Sequence, residues 1–245
     1  MYEEEVRKLQ DIIDDSQNIV FFGGAGVSTE SNIPDFRSAD GLYQQQYKYS
    51  PEQIVSHSFF VRNTEAFYEF YKSKMMFLDA KPNPAHKKLA ELEAAGKLSA
   101  VITQNIDGLH QKAGSKKVYE IHGSTLRNYC DRCHKRYPSD YIFRSKEPVP
   151  RCTEPGCTGI VRPDVTLYGE MLPEDAWRNA ERACREADMM IVGGTSLSVY
   201  PAASLLDYFS GRYLVLINRD RTVRDGDADL VFHDSIGKVL SHCGN

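Results

Sequence analysis

The 245-residue chain predicts an α/β fold: a Rossmann-like, doubly wound parallel sheet carrying a smaller zinc-binding and helical insert domain. Three observations carry this prediction. Short, unbroken apolar runs, NIVFF at 18–22, SAVIT at 99–103, MMIVG at 189–193 and YLVLIN at 213–218, read as strands covered on both faces. Helical patterns at 84–96 and 173–187 alternate with them. The carboxyl ends of the runs, GGAG, TQNID, GGTSL and IN, are polar and rich in glycine or amides, as expected where such a sheet gathers its ligand.

In chain order, Val6, Leu9, Ile12 and Ile13 recur at helical spacing and predict a first helix of about four turns. Gly23-Gly24 stops the first strand. Residues 36–80 carry Tyr43, Tyr47, Tyr49, Phe59, Phe60, Phe67, Tyr68, Phe70 and Tyr71, which predict a helical insert whose rings are mostly core. Residues 123–162 hold four of the six cysteines among prolines and glycines, a second insert. DLVF at 229–232 is a fifth strand. The sheet domain is thus expected to comprise 1–35, 81–122 and 163–245, with the helical insert at 36–80 and the zinc-binding insert at 123–162.

Composition excludes several function classes. A net charge of −4, with basic residues scattered along the chain, gives no footprint for direct nucleic-acid binding. The start, MYEEEVRKLQDIIDD, is acidic and amphipathic and does not read as a signal peptide. No apolar stretch approaches the length of a membrane span, so a cytoplasmic location without membrane contact is expected. Six cysteines in such a chain read as metal ligands or buried thiols, not disulfides.

Cys130-x2-Cys133, eighteen residues, then Cys152-x4-Cys157 is the spacing of a four-thiolate tetrahedral zinc site. With sulfur at all four positions no coordination site is left for water, so the single zinc is expected to be structural. A nucleic-acid-binding zinc ribbon is the rival use, and the missing basic surplus weighs against it. Cys184 and Cys243 have no partner in sequence and read as plain thiols.

FGGAGVSTESNIPDFR, at 22–37, poses a harder question. Gly24-Ala25-Gly26 after a buried strand fits backbone amides presented to a pyrophosphate. However, Thr29 stands where a third glycine belongs, and no acidic residue closes the second strand to read a ribose. The usual dinucleotide fingerprint is therefore incomplete. The tail adds a stiff Pro34, the flat ring of Phe36 and the fixed cation of Arg37, suited to phosphate. A core ring at Phe36 and a surface charge at Arg37 are the bland alternatives, and neither explains the whole loop.

GAGVSTESNIPDFR, TQNIDGLH at 103–110, His122-Gly123, the four-cysteine insert, VRPDVTLYGE at 161–170, GTSL at 194–197 and Ile217-Asn218 occur in the order seen in sirtuins, the NAD-dependent protein-lysine deacylases. The chain resembles a short, bacterial-type member from about residue 18 to the C-terminus. It departs from the family pattern at Asn32, where glycine is usual, and in the wider second cysteine pair. Asn tolerates a left-handed backbone, so the loop is expected to keep its shape.

The resemblance implies a role for each position. Ala25, Gly26 and Thr29 line the phosphates, and Phe36 and Arg37 close over the NAD. Gln104 meets the nicotinamide ribose, Ile106 and Asp107 hold the nicotinamide amide, and Asn105 orients the ribose and a water. Thr195, Ser196 and Asn218 hold the adenosine half, and the stretch around Ile236 flanks the adenine. His122 is the general base. The implied reaction takes an acyl group, acetyl first, from lysine and yields nicotinamide and O-acyl-ADP-ribose. The acyl-lysine peptide lies as an extended strand between VRPDVTLYGE and residues 194–200. Family members that prefer acidic acyl groups carry a Tyr-x-x-Arg pair, and Tyr71 with Lys74 is its nearest match here. The pair reads as a core tyrosine and a solvated lysine. Mono-ADP-ribosyl transfer, removal of succinyl or malonyl groups, and a non-enzymatic NAD-sensing module are the remaining alternatives.

Overall fold

The structure is a computed structural model that describes residues 3–35, 41 and 48–243. Helix α1 (Glu3–Asp15) buries Leu9, Ile12 and Ile13 along one face, and Glu3, Glu4 and Glu5 complement the positive end of its dipole. Strand β1 (Ile19–Gly23) follows, then the helices α2 (Pro51–Ile54), α3 (His57–Arg62) and α4 (Thr64–Lys74). Next come α5 (Pro84–Ala94), β2 (Leu98–Thr103), α6 (Leu109–Ala113) and β3 (Val118–Glu120). The cysteine region contains β4 (Gly123–Cys130), β5 (Arg136–Tyr137), α7 (Tyr141–Arg144) and β6 (Val161–Val165). The chain closes with α8 (Glu174–Glu186), β7 (Met189–Gly193), β8 (Tyr213–Ile217), β9 (Leu230–Phe232) and α9 (Ile236–Leu240).

Six parallel strands form the main sheet in the order β3-β2-β1-β7-β8-β9. The order runs outward in both directions from the β1–β7 pair, so the topological switch lies between them. Gly23 and Gly193, the last residues of these two strands, stand in register. That crevice is where the fold positions a ligand. The apolar runs are continuous because both faces are covered: Ile19 and Phe21 pack on one side with α1, α5 and α9, and Val20 and Phe22 on the other with α8. Full burial of rings such as Phe21 and Phe22 is worth about 1.5–3 kcal/mol each.

A second, antiparallel sheet, β5-β4-β6, belongs to the cysteine region. Its strands and the helices α2 to α4 share one apolar cluster, in which Phe60, Phe67 and Tyr68 meet Cys130, Val161 and Leu167. The Tyr68 hydroxyl donates to the Val161 carbonyl at 2.8 Å. The two inserts therefore build one small lobe, and the boundary expected at 162/163 falls inside β6. Sequence reading had no cue for this, because β6 alternates buried and half-buried residues around a proline. Strand β3 was also unanticipated, being only three residues long. Tyr71 is a core residue, fully buried and stacked on Phe67 at 5.8 Å between ring centroids. Tyr43 and Tyr47 lie outside the described residues.

Behind the crevice, α5 and α6 bring two buried histidines together, with the His86 and His110 ring centroids 4.7 Å apart. His86 is set by a capping box: Asn83 Oδ1 accepts from the Ala85 and His86 amides while His86 Nδ1 accepts from the Asn83 N–H. Among the described residues, His86 Nε2 and both ring nitrogens of His110 have no hydrogen-bond partner. Burial holds the His86 pKa down at about 4 and that of His110 at about 3, where His86 adds repulsion. Both are therefore neutral when folded, whereas the unfolded chain takes up protons below about pH 6.5. Stability is expected to be full above that pH and to fall as pH drops toward 4, by a few kcal/mol in all. Urea midpoints between pH 7 and 4.5 would measure the loss, and His110→Phe should remove roughly half of it. An acid sensitivity unchanged in that variant would assign the effect elsewhere.

Candidate active site

A cavity of about 510 Å³ opens over the switch point and is walled by both lobes. Its floor is backbone. After β1, residues 24–28 turn tightly so that the Gly26 N–H donates to the Gly194 carbonyl at 2.8 Å. A Cβ at Gly26 would stand 2.7 Å from the Gly194 Cα, and Gly194 itself has φ 61°. Glycine is required at both places, because two chain segments meet there with no room for a side chain. Gly26→Ala is accordingly expected to destabilise the fold by roughly 1–3 kcal/mol through overpacking, which a lowered urea midpoint would show. The loop ends at Asn32, whose φ of 60° and ψ of 28° are left-handed, the conformation expected where asparagine replaces glycine.

The TQNID loop is held against this floor by a side-chain network. The Gln104 N–H donates to the Gly23 carbonyl at 2.9 Å, and Gln104 Nε2 donates to Thr195 Oγ1 at 2.9 Å. Asn105 Nδ2 donates to Ser28 Oγ at 3.0 Å, and that hydroxyl donates to Asp107 Oδ2 at 2.7 Å. Asp107 Oδ1 accepts from the Leu109 N–H at 2.9 Å, so one carboxylate both orients the loop and opens α6. Burial pushes the Asp107 pKa up, opposed by the hydrogen bonds from Ser28 and Leu109. Ser28 is the residue that sequence reading passed over. It is buried, lines the cavity and joins Asn105 to Asp107, and its place inside GAGVS was the only cue.

His122 stands on the opposite wall, between β3 and β4. Its Nδ1 lies 3.1 Å from the Gln104 carbonyl, which can only accept, so Nδ1 carries the proton and Nε2 keeps its lone pair. Burial lowers the pKa of the imidazole, partly offset by that carbonyl. A neutral imidazole with a free Nε2 at the cavity wall can accept a proton from a substrate hydroxyl.

On the far side, Asn218 Oδ1 accepts from the Thr195 N–H at 2.9 Å, while Asn218 Nδ2 is buried with no hydrogen-bond partner among the described residues. Asp35 reaches Arg219 at 3.1 Å across the cavity mouth. Ala25, Gly26, Gln104, Asn105, Ile106, Asp107, His122, Thr195, Ser196 and Asn218 all line this one cavity. Thr29 and Ile236 do not. The Thr29 hydroxyl turns back to the Gly26 carbonyl at 2.9 Å, and Ile236 is buried under Gly193 in the core. Phe36 and Arg37 lie outside the described residues.

The four cysteines lie elsewhere in the small lobe, and none lines the cavity. Their sulfurs all fall within 4.8 Å of one another, with Cys130–Cys157 and Cys133–Cys152 at 3.6 Å. Zinc–sulfur bonds of about 2.3 Å in a tetrahedron place sulfurs about 3.8 Å apart, so the set fits one zinc ion. Backbone N–H groups of Arg132, Cys133 and Glu154 point at the sulfurs of Cys130 and Cys152, which suits thiolates. Gly159 makes the room: a Cβ there would lie 2.4 Å from Cys130 Sγ. The widened second pair only lengthens the turn, where Gly156 takes φ 73°.

The Sir2 family model matches residues 24–201. The chain belongs to the Sir2 family. Among its relatives, the NAD-dependent protein deacetylase of Clostridium perfringens is 58% identical over 241 residues, covering 97% of this chain and 98% of that protein. The NAD-dependent protein deacetylase of Clostridium acetobutylicum is 56% identical over 239 residues, 97% of each chain. A Sir2 protein solved with a deacetylated p53 peptide and 3'-O-acetyl ADP-ribose has the same fold, with TM-score 0.89 and 42% identity over 97% of this chain and 96% of that one. Another, bound to a propionylated peptide, gives TM-score 0.86 and 40% identity over 96% and 95% of the two chains. Sir2 membership accounts for a glycine loop that departs from the dehydrogenase fingerprint while still facing the switch point. Among the described residues, no helix is long and apolar enough to cross a membrane.

Proposed function

We propose that this Sir2 protein is an NAD-dependent protein deacetylase that moves the acetyl group of an acetyl-lysine onto ADP-ribose. The observation that carries the reading is His122, fixed in one tautomer by the Gln104 carbonyl and facing the same cavity as the Gly26 floor and Asn218. NAD is consumed as a cosubstrate: the acetyl oxygen bonds to the ribose carbon bearing nicotinamide as nicotinamide leaves, a ribose hydroxyl adds to the acetyl carbon as the lysine amine departs, and one water completes the transfer to O-acetyl-ADP-ribose. The Ala25 N–H faces the pyrophosphate, Gly26 lets the backbone come close while its own N–H is held by the Gly194 carbonyl, and Thr29 braces that loop through the Gly26 carbonyl. Asn218 Nδ2 donates to the adenosine half, with Thr195 and Ser196 beside it. Asp107 and Ile106 receive the nicotinamide amide, Gln104 and Asn105 orient its ribose, and Nε2 of His122 takes the hydroxyl proton. Phe36 and Arg37, which follow Asp35 at the cavity mouth, complete the clamp.

The acyl-lysine segment enters as an extended strand between 165–170 and 194–200, whose Leu167, Tyr168, Gly194 and Tyr200 line the cavity. Acetyl is the proposed group because Tyr71, buried in the aromatic core, is not placed to hold a second carboxylate; Lys74, read from the sequence as solvated, lines the cavity instead. Four clustered thiols and two further unbridged cysteines fit a reducing, cytoplasmic setting. Incubation with NAD and an acetyl-lysine peptide should release nicotinamide and O-acetyl-ADP-ribose in equal amounts, read by mass spectrometry. No nicotinamide release would turn the reading to an NAD-sensing module, and label from NAD on protein would turn it to ADP-ribosyl transfer.

A further inference from the structure

The segment that carries His122 is closed at its base by an ion-pair clamp. Strand β4 pairs with β6 at Gly123↔Val165 and Ser124↔Asp164, then resumes at Asn128↔Pro163, so residues 125–127 bulge out of the ladder. The bulge leans on the TQNID loop: the N–H and the hydroxyl of Thr125 both donate to the Ile106 carbonyl at 2.9 Å. Its last residue, Arg127, turns back. Nη1 donates to Glu120 Oε2 at 2.6 Å and Nε donates to Asp164 Oδ2 at 2.7 Å. Glu120 ends β3 of the main sheet, and Asp164 lies on β6 of the small lobe. Residues 120 to 127 therefore form a short loop, tied across its neck by guanidinium and carboxylate, with His122 inside it.

We infer that Arg127 is a positioning residue for His122, a reading that rests on the deacetylase function proposed above. His122 itself is held at two points: its ring contacts the Gln104 carbonyl, and its own carbonyl accepts from the Thr166 N–H at 3.0 Å. Both partners belong to different lobes, so the imidazole keeps its place only while the lobes keep their spacing. Arg127 bridges the same two lobes, because its forked donors reach one carboxylate in each. Lysine keeps the charge but lacks the rigid fork that reaches both carboxylates at once. Glutamine carries no charge and leaves Glu120, only 9% exposed, without its cation.

The test separates bond cleavage from base chemistry. Incorporation of labelled nicotinamide into NAD, in the presence of acetyl-peptide, reports cleavage at the ribose and its reversal, which need no general base. Release of O-acetyl-ADP-ribose needs His122. Arg127→Gln is expected to lower the kcat of deacetylation about tenfold or more, while exchange and both KM values stay within about twofold. The acid limb of its kcat profile should move up toward that of an exposed imidazole, and Arg127→Lys should recover part of the loss. Asp164→Asn, which removes the more exposed arm and leaves the buried pair intact, should show the same split in smaller measure and serves if Arg127→Gln does not fold. Proportional loss of both reactions, or no loss in either variant, would overturn the clamp. A wild-type protein showing neither reaction would instead overturn the deacetylase reading itself.

Discussion

His122→Ala is expected to lower turnover of an acetyl-lysine peptide by about 10²–10⁴-fold, the usual contribution of a positioned general base. The variant should fold, since His122 contributes one ring hydrogen bond and is only half-buried. NAD affinity should change little, because the backbone floor at Gly24 to Gly26 and the Asn218 side stand on other elements. The pH profile gives a second readout. Burial disfavours the imidazolium, so the base-competent neutral form persists below the ordinary value of 6.5. Wild-type activity should therefore hold through mildly acidic pH and fall as pH drops through that lowered pKa, with unit slope. The residual activity of His122→Ala should lack this limb. Full deacetylation by the variant would remove His122 from the mechanism.

Loss of zinc should have the next largest effect. Cys130 is fully buried in the small-lobe cluster and belongs to β4, so the four thiolates gather the end of that strand, the 152–157 turn and the lobe's apolar core at one point. Without the ion, nothing bonds the sulfurs, 3.6 Å apart in the pairs Cys130–Cys157 and Cys133–Cys152, to one another across these turns. Chelation, or Cys130→Ser, should lower the melting temperature by roughly 10–20 °C, corresponding to several kcal/mol. Activity should fall with it, because Thr166, directly after β6 of the same lobe, supplies the N–H that holds the His122 carbonyl. Metal analysis should return one zinc per chain. A chain stripped of metal that kept both its melting temperature and its activity would contradict a structural ion.

Much of this was legible in the residues. The strands of the main sheet announced themselves because burial on both faces forces unbroken apolar runs, and the cysteine spacing named its metal because tetrahedral geometry admits few alternatives. Gln104, Asn105, Asp107 and Asn218 converge on one cavity, which their positions at strand ends foretold, and His122, marked only by the family resemblance, joins them there. Three things were hidden. Ser28 carries a hydroxyl that looks like any loop serine until Asn105 and Asp107 arrive from 77 and 79 residues away. The shared core of the two inserts depends on Tyr68 meeting Val161, a contact 93 residues apart that no local pattern encodes. Ile236 sits in the core and not on the cavity, because α9 turns its apolar side under Gly193.

The glycine floor has one more implication. Where two backbones touch, as at Gly26 and Gly194, the binding surface is made of atoms that every amino acid possesses, and no side chain can be exchanged to reshape it. A substituent at Gly24 would meet Thr195 at 2.9 Å, and one at Gly194 would strike the Val27 nitrogen at 2.3 Å. An inhibitor that drew its affinity from this floor would leave the protein few routes to resistance. Each escape substitution would damage the seat of the natural cosubstrate before it displaced the drug.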